Sequence, residues 1–390
     1  MAALGGSRAC CLRSGAACVV IYFLYGIVAA AALYQAAALA ASLIWLGWSR
    51  RRPSTDMGPH PGISVLKPVR GLDTGFAEAI ASHARQDYPR FEILFGVGDP
   101  ADPAVEAIER LQAQFPGRDI RLIHATTRAP NVKAGVLMDL AREARYPLWL
   151  VNDGDIRVPP RYLRRVAEPL RNPANGLVTC LYRAEAEGWP ARLEGLGIAT
   201  DFAPGVLVAP LAGVSGFGLG ATLAFRAADL ARAGGFAAVA DYLADDFQIG
   251  RRLHALGLQC VLSDVVVTTH LSGASWREVW RHQVRWARTI RVSKGAGYAG
   301  LAITQASLWA LAAALAGEWR TAAALLALRL AAGIAAGYGV LRAPDAVRLW
   351  WLIPLRDLAG VAVWAAGLLG RTVEWRGQRL RLDREGRILR

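Results

Sequence analysis

From Ala16 to Trp48 the chain carries no charged residue, and an uncharged run of that length leaves few choices. About 20 apolar residues suffice to cross a bilayer. A signal-peptide core is shorter and ends at a small-residue cleavage site, which this run lacks. The reading is a membrane anchor. Tyr22, Tyr25, Trp45 and Trp48 stand where interfacial aromatics would. Arg50, Arg51 and Arg52 follow at once, so the positive-inside rule puts the next domain in the cytoplasm. Arg8 and Arg13 on the other flank weaken that orientation only slightly.

The rest of the composition agrees. Hydrophobic residues make up 54% of the 390, above the roughly 45–50% usual for soluble domains. The net charge of +14 is almost wholly arginine, since only Lys67, Lys133 and Lys294 are lysine. A basic excess beside hydrophobic spans points to anionic lipid headgroups rather than nucleic acid. Cys10, Cys11 and Cys18 crowd the N-terminus, while Cys180 and Cys260 stand alone. No C-x-x-C pattern suggests a zinc site or a disulfide framework, so a reduced cytoplasmic domain fits. Nothing points to an obligate protein partner. The expected organisation is a tail (1–15), an anchor (16–48), a soluble domain (59–294), membrane segments (296–370) and an Arg-rich tail (371–390).

Within 59–294, strand and helix patterns alternate. Strands are expected at Ile63–Pro68, Phe91–Val97, Ile120–His124 and Pro147–Asn152, with helices at Phe76–Arg85, Ala104–Phe115 and Val132–Arg145. Such alternation implies an α/β fold with a mostly parallel sheet covered on both faces. Ligands of such sheets bind beyond the carboxyl ends of the strands, where Asp99 and Asp153 fall.

An ordered set of acidic sites follows, closed by a basic-aromatic motif: Asp99, Asp153-Gly154-Asp155, Asp245-Asp246, then His282-Gln283-Val284-Arg285-Trp286. Two carboxylates in D-x-D spacing at a strand end can hold Mg²⁺ or Mn²⁺ against a diphosphate, although Asn-Asp-Gly-Asp is also strong turn chemistry. Asp99 lies in an ordinary loop. Asp245-Asp246 opens a helix that ends at Gly257. Asp245 is expected to cap or orient it, and Asp246 to act as the base that an inverting transfer needs. Arg285 and Trp286 fall on a helix from Ser275 to about Ile290, where an arginine can clamp phosphate and a tryptophan can stack on a flat ligand. Its arginines, from Arg277 to Arg291, also suit a helix bound to anionic lipid. His254 and His270 read as structural.

These residues resemble the ceramide glucosyltransferase family, glycosyltransferase family 21 of the family-2-like superfamily. The resemblance runs through Leu66-Lys67-Pro68, Asp87-Tyr88-Pro89, Asp99 with Asp102-Pro103-Ala104, and Asn131 with Lys133. It continues through Asp153 with Ile156-Arg157-Val158, Gly234-Gly235-Phe236, Tyr242 with Asp246, Arg285-Trp286 and Trp375-Arg376. It implies a GT-A-type fold, a UDP-sugar donor, a divalent metal, a membrane-lipid acceptor and inversion at the anomeric carbon. Lys67, Asn131, Lys133, Arg285 and Trp286 would then serve the donor, with Asp99 on uracil or ribose. Asp153 and Asp155 would serve diphosphate and metal, Asp246 would be the base, and Asp245, His282 and Gln283 would support it. Two departures stand out. His282 occupies the first place of the Q/R-x-x-R-W motif, and Asp153-Gly154-Asp155 replaces the D-S-G of many ceramide-type members. Stretches such as Gly176–Arg183, Asp201–Pro204 and Thr289–Arg291 resemble the bacterial hopanoid-associated branch more closely. That branch implies transfer of N-acetylglucosamine to bacteriohopanetetrol at the bacterial inner membrane.

Phe202–Phe225 is uncharged, but its glycines, Pro204 and Pro210 argue against a straight span. A span there would also separate Asp153 from Asp246 by a membrane. The segment is expected to line the acceptor site or to form core strands. Ala296–Gly317 and Thr321–Leu341 read as membrane segments joined at Glu318-Trp-Arg. A third, Leu349–Gly370, carries Arg356-Asp357 and is expected to be partly re-entrant or interfacial. A processive polysaccharide synthase would share the catalytic parts. A basic membrane scaffold would give the ordered aspartates no purpose.

Overall fold

The computed structural model describes residues 15–51, 60–271, 273–375 and 378–389. The N-terminal tail with Arg8, Cys10, Cys11 and Arg13, as well as Arg52, Arg376 and Arg390, lies outside the described residues.

Seven strands form one sheet: β1 (Ile63–Val69), β2 (Phe91–Val97), β3 (Asp119–His124), β4 (Leu148–Val151), β5 (Asn175–Ala186), β6 (Leu223–Arg226) and β7 (Gln259–Leu271), in the order β3-β2-β1-β4-β6-β5-β7. All neighbours are parallel except β6, which runs antiparallel to both β4 and β5. The expected mostly parallel α/β sheet is therefore present, and its first four strands and three helices fall where the periodicity put them. The strand alternation explains how both faces are covered. Val65, Ile93 and Phe95 face the Phe76–Ala84 and Ala104–Gln114 side, whereas Leu66 and Leu94 face the Val132–Glu143 helix.

Phe202–Phe225 forms a helix and one core strand rather than a pair of core strands. Ala203–Val208 is a helix that runs straight on from the π-helical turn Ile198–Phe202, whose interrupted ladder accommodates the missing N–H of Pro204. It packs on Ala38 and Ala41 of the long Gly15–Arg51 helix. After an exposed turn the chain re-enters the sheet as β6. That antiparallel strand keeps Asp153 and Asp246 in one domain.

Among the described residues, three helices are long and apolar enough to cross a membrane: Ile21–Arg51, Trp319–Val340 and Trp350–Leu368. Ala296–Gly317 is not a single span as expected. It is broken at Gln305, and its last helix, Ala306–Leu315, has only 10 residues. The small alanines Ala31, Ala306, Ala310 and Ala313 let these helices approach closely. Arg329 and Asp357, both buried, pair through two contacts of 2.7 and 2.8 Å, and the Ser307 hydroxyl donates to Asp357.

The Ile353–Leu368 helix touches the α/β domain at both ends. Ile353 packs with Leu196, and the Tyr298 hydroxyl donates to the Trp364 carbonyl at 2.9 Å near the Trp276–Lys294 helix. The Arg-rich C-terminal segment then forms a small antiparallel sheet, β8 (Thr372–Trp375), β9 (Gln378–Leu382) and β10 (Ile388–Leu389). Val373, Leu382 and Ile388 pack on Leu243, and the Ile388 N–H donates to the Asp241 carbonyl. The tail thus lies on the same side as the domain.

Candidate active site

Most of the aspartates meet in a cleft of about 880 Å³ beyond the carboxyl ends of β1 and β4. β4 is short and flanked by β1 and β6, so the turn after it is held from both sides. Asn152 anchors that turn. Fully buried, it donates to the Tyr162 hydroxyl at 2.9 Å and the Ala221 carbonyl at 2.7 Å, and its own carbonyl lies 3.1 Å from His83 Nε2. Asp153 and Asp155 then emerge into the cleft.

Lys133 organises the carboxylates. Its Nζ lies 2.8 Å from Asp153 Oδ1 and 3.5 Å from Asp245 Oδ2. Burial opposes its charge, but Asp153, Asp245 and Asp246 together raise its pKa above the usual lysine value. Asp245 is the first residue of the Asp245–Ala255 helix rather than its cap, which is Ala244 without a side-chain bond. The expected capping is therefore absent, and Asp245 acts through Lys133. Asp246 accepts the Phe247 N–H at 2.7 Å. Burial, with Asp245 adding to it, pushes the Asp246 carboxyl up to about 6.

Gly220 explains how Asp246 reaches Asp153. A methyl carbon built on Gly220 would sit 3.2 Å from Asp153 Oδ2 and 3.3 Å from Asp246 Oδ2. Any side chain there would crowd both carboxylates by a few tenths of an ångström, so the glycine keeps the gap between them open. Asp155 accepts from the Thr269 hydroxyl of β7, and burial together with Asp153 raises its pKa.

The fit for a divalent cation follows from this donor set. Among the described residues no three His, Cys, Asp or Glu side chains gather as a ready cage. Asp155 and Asp153 instead line the cleft with one carboxylate oxygen each engaged, by Thr269 and Lys133, and the other left over. Mg²⁺ is typically bound in this way, by one or two carboxylates plus phosphate oxygens and water.

Three expected donor ligands lie elsewhere. Lys67, fully buried, donates to the Asp153 carbonyl at 3.0 Å from behind the cleft. Burial lowers its pKa to about 7 against the pull of Asp155 and Asp153. Asn131 caps the Val132–Glu143 helix by accepting from the Ala134 N–H, and donates to the Tyr242 carbonyl at 2.8 Å. Its side chain is committed to holding the loop before Asp245. Asp99 is exposed, accepts the Ala101 N–H of its own loop, and does not line the cleft.

The opposite wall comes from the Trp276–Lys294 helix, which starts with a Ser275–Glu278 capping box. Arg285 and Trp286 line the cleft as expected. Three of its other arginines are engaged by the C-terminal segment, while Arg277 stays exposed beside Trp276 and Trp280. Arg281 pairs with Glu374 at 3.0 Å, and Arg288 and Arg291 donate to the carbonyls of Leu368, Leu369, Gly370 and Thr372. They cap the end of the Ile353–Leu368 helix.

A profile described as Glycosyl transferase family 21 matches residues 22–388. The chain belongs to glycosyl transferase family 21. Relatives include Ceramide glucosyltransferase 3 of Caenorhabditis elegans, 28% identical over 58% of this chain and 50% of that protein. Ceramide glucosyltransferase 1 of the same organism is 26% identical over 52% of this chain and 44% of its own. The matches thus span about half of each relative's length. A mannosyltransferase from Pyrobaculum calidifontis, solved in complex with GDP-Man and Mn²⁺, superposes with a TM-score of 0.50. It is 22% identical and covers 88% of this chain and 97% of its own, which shows a shared fold.

In this family 21 chain the helix motif is braced by a residue that the sequence did not signal. Glu194, 3% exposed, lies 2.5 Å from His282 Nδ1 and accepts from Gln283 Nε2 at 3.0 Å. Gln283 in turn accepts from Arg356. The His282 place in the motif is therefore a brace that fixes the Trp286 ring, 4.7 Å away. Beyond Trp286 the cleft turns apolar. Phe202 lies 6.3 Å from Trp286 and 5.3 Å from Tyr182, next to the helices long enough to cross a membrane.

Proposed function

We propose that this chain transfers a sugar from a UDP-sugar to the hydroxyl of a membrane lipid, with inversion at the anomeric carbon. The observation that carries the reading is Asp246. It is a carboxylate tuned to about 6, facing Asp153 across Gly220, at the point where the polar cleft meets the Phe202–Trp286 wall.

In this mechanism Asp246 accepts the proton of the lipid hydroxyl as its oxygen bonds to the anomeric carbon. The bond from that carbon to the diphosphate breaks, and UDP leaves. A base is most effective near the working pH, and the raised pKa moves Asp246 towards it. Lys133 and Arg285 face the departing charge, and Trp286 supplies a stacking surface. A Mg²⁺ or Mn²⁺ held by Asp155 and Asp153 would supply charge neutralisation at the diphosphate. Lys67 and Asn131 are positioning residues: Lys67 fixes the Asp153 backbone and Asn131 the loop before Asp245. The apolar wall lets a lipid keep its body in the bilayer, avoiding about 0.8 kcal/mol for each CH₂ exposed.

For the finer identities, N-acetylglucosamine and bacteriohopanetetrol rest on the stretches from Gly176, Asp201 and Thr289, and imply a bacterial inner-membrane enzyme with its catalytic domain in the cytoplasm. A second reading, glucose onto ceramide, is favoured by the names of the relatives. Gene deletion with lipid mass spectrometry, beside a radiolabelled UDP-sugar assay on extracted lipids, tests both. Accumulated unglycosylated bacteriohopanetetrol supports the first reading. Loss of glycosylceramide with unchanged hopanoids supports the second, a polymeric product would mean a processive synthase, and no product would end the transferase reading.

A further inference from the structure

A second cavity, about 1090 Å³, lies away from the aspartates, where the domain-side end of the Gly15–Arg51 helix meets the segment after the Trp319–Ile334 helix and the back of the α/β domain. One side is apolar, with Trp45, Leu46, Tyr338 and Val340. The other is strongly basic, with seven arginines against three carboxylates. Arg164 and Arg165 are held by Asp87 and Asp264. Arg50, Arg161, Arg171, Arg183 and Arg342 make no side-chain hydrogen bond or ion pair with the described residues.

We propose that this cavity binds the phosphate headgroup of an anionic phospholipid drawn from the bilayer that holds the apolar helices. The proposal does not rest on the transferase reading. Five guanidiniums around one cavity concentrate positive potential there and attract an anion, and guanidinium–phosphate contacts are strong, often bidentate hydrogen bonds. Basic pockets between membrane helices at the membrane surface suit lipid headgroups in this way.

Two further features of the cavity wall bear on the occupant. Trp45 Nε1 is buried without a hydrogen-bond partner among the described residues, on the wall of this cavity. A small turn of the ring towards the cavity would bring that N–H to a headgroup oxygen. Arg342 holds φ of 55°, the only non-glycine residue with positive φ among the described residues. The left-handed turn ends the helical run at Leu341, with the Ala343 N–H donating to the Gly337 carbonyl, and places Arg342 on the cavity wall. The apolar wall selects lipid over a free anion, because acyl chains would run along Trp45, Leu46 and Tyr338 into the helix bundle. This cavity is separate from the Trp276–Lys294 helix, where Arg281, Arg288 and Arg291 are already engaged by the C-terminal segment.

The test uses the full chain in nanodiscs of phosphatidylcholine doped with phosphatidylglycerol, released gently and weighed by native mass spectrometry. Wild type should retain phosphatidylglycerol over phosphatidylcholine, and excess inorganic phosphate should not displace it. The double variant Arg161→Gln/Arg183→Gln should lose about tenfold or more in retention. Arg161→Lys/Arg183→Lys, which keeps both charges, should fall between the two. Equal retention of both lipids by wild type would overturn the proposal, as would displacement by inorganic phosphate, which would mark a free-anion site. Undiminished retention in the Gln variant would place the lipid elsewhere. Should the Gln variant not fold, the Lys variant and the wild-type competition still decide.

Discussion

Asp246 faces two opposed demands. As a base it must be ionised, yet burial and Asp245 favour its protonated form and raise it to about 6. Asp246→Asn should lower turnover by about 10²–10⁴-fold while the donor still binds. In wild type, kcat/KM should rise with pH through about 6, and the pH-rate profile of the Asn variant should lack that limb. Stability separates the base role from misfolding. A carboxyl raised in the folded state stabilises the fold at low pH, and that contribution is lost as pH rises through its folded value. Asp246→Asn should therefore raise Tm above pH 6, with the gain shrinking to nothing as the pH falls into the ordinary carboxylate range. A melting series across pH checks the sign. At Asp155 the prediction concerns metal. EDTA should abolish transfer and Mg²⁺ or Mn²⁺ restore it, while Asp155→Ala weakens donor binding more than acceptor binding. Full activity with metal removal verified would sink the D-x-D reading.

At the scale of elements, the Trp276–Lys294 helix does two jobs. It presents Arg285 and Trp286 to the cleft, and it staples the C-terminal segment through Arg281, Arg288 and Arg291. Arg288→Ala with Arg291→Ala removes donors from the carbonyl end of the Ile353–Leu368 helix. The pair should cost about 1–3 kcal/mol and speed proteolysis within 371–389. Because Trp375 and Gln378 also line the cleft, donor KM should rise more than kcat falls. Limited proteolysis and steady-state kinetics together check this. Unchanged proteolysis would mean that the arginines do not hold the tail. The sequence showed these arginines as one basic surface, since spacing reveals which residues share a face but not what covers it.

The whole molecule is joined by charges buried among the apolar helices. Arg329 and Asp357 come from different helices and are 2% and 1% exposed. Asp357→Ala would leave Arg329 buried and unpaired, at a cost of about 3–5 kcal/mol, whereas Arg329→Met with Asp357→Leu should return close to wild type. Thermal unfolding in detergent distinguishes the two, and equal loss in both variants would assign the cost to packing rather than charge. Local pattern was enough to read the uncharged Ala16–Trp48 run, the alternating strands and helices to β4, and the Asp153-Gly154-Asp155 turn at a strand end. Each of these rests on periodicity or length within a short window. Tertiary structure alone decided that Phe202–Phe225 splits into a helix and an antiparallel strand, because burial beside β4 and β5 outweighs its glycine-rich composition. It also turned Lys67 and Asn131 into supports, brought Glu194 beneath His282, made Gly220 the gap between two carboxylates, and folded the Arg-rich tail back onto Leu243. Those outcomes depend on which distant residues share a few ångströms, and no local window of sequence records that distance.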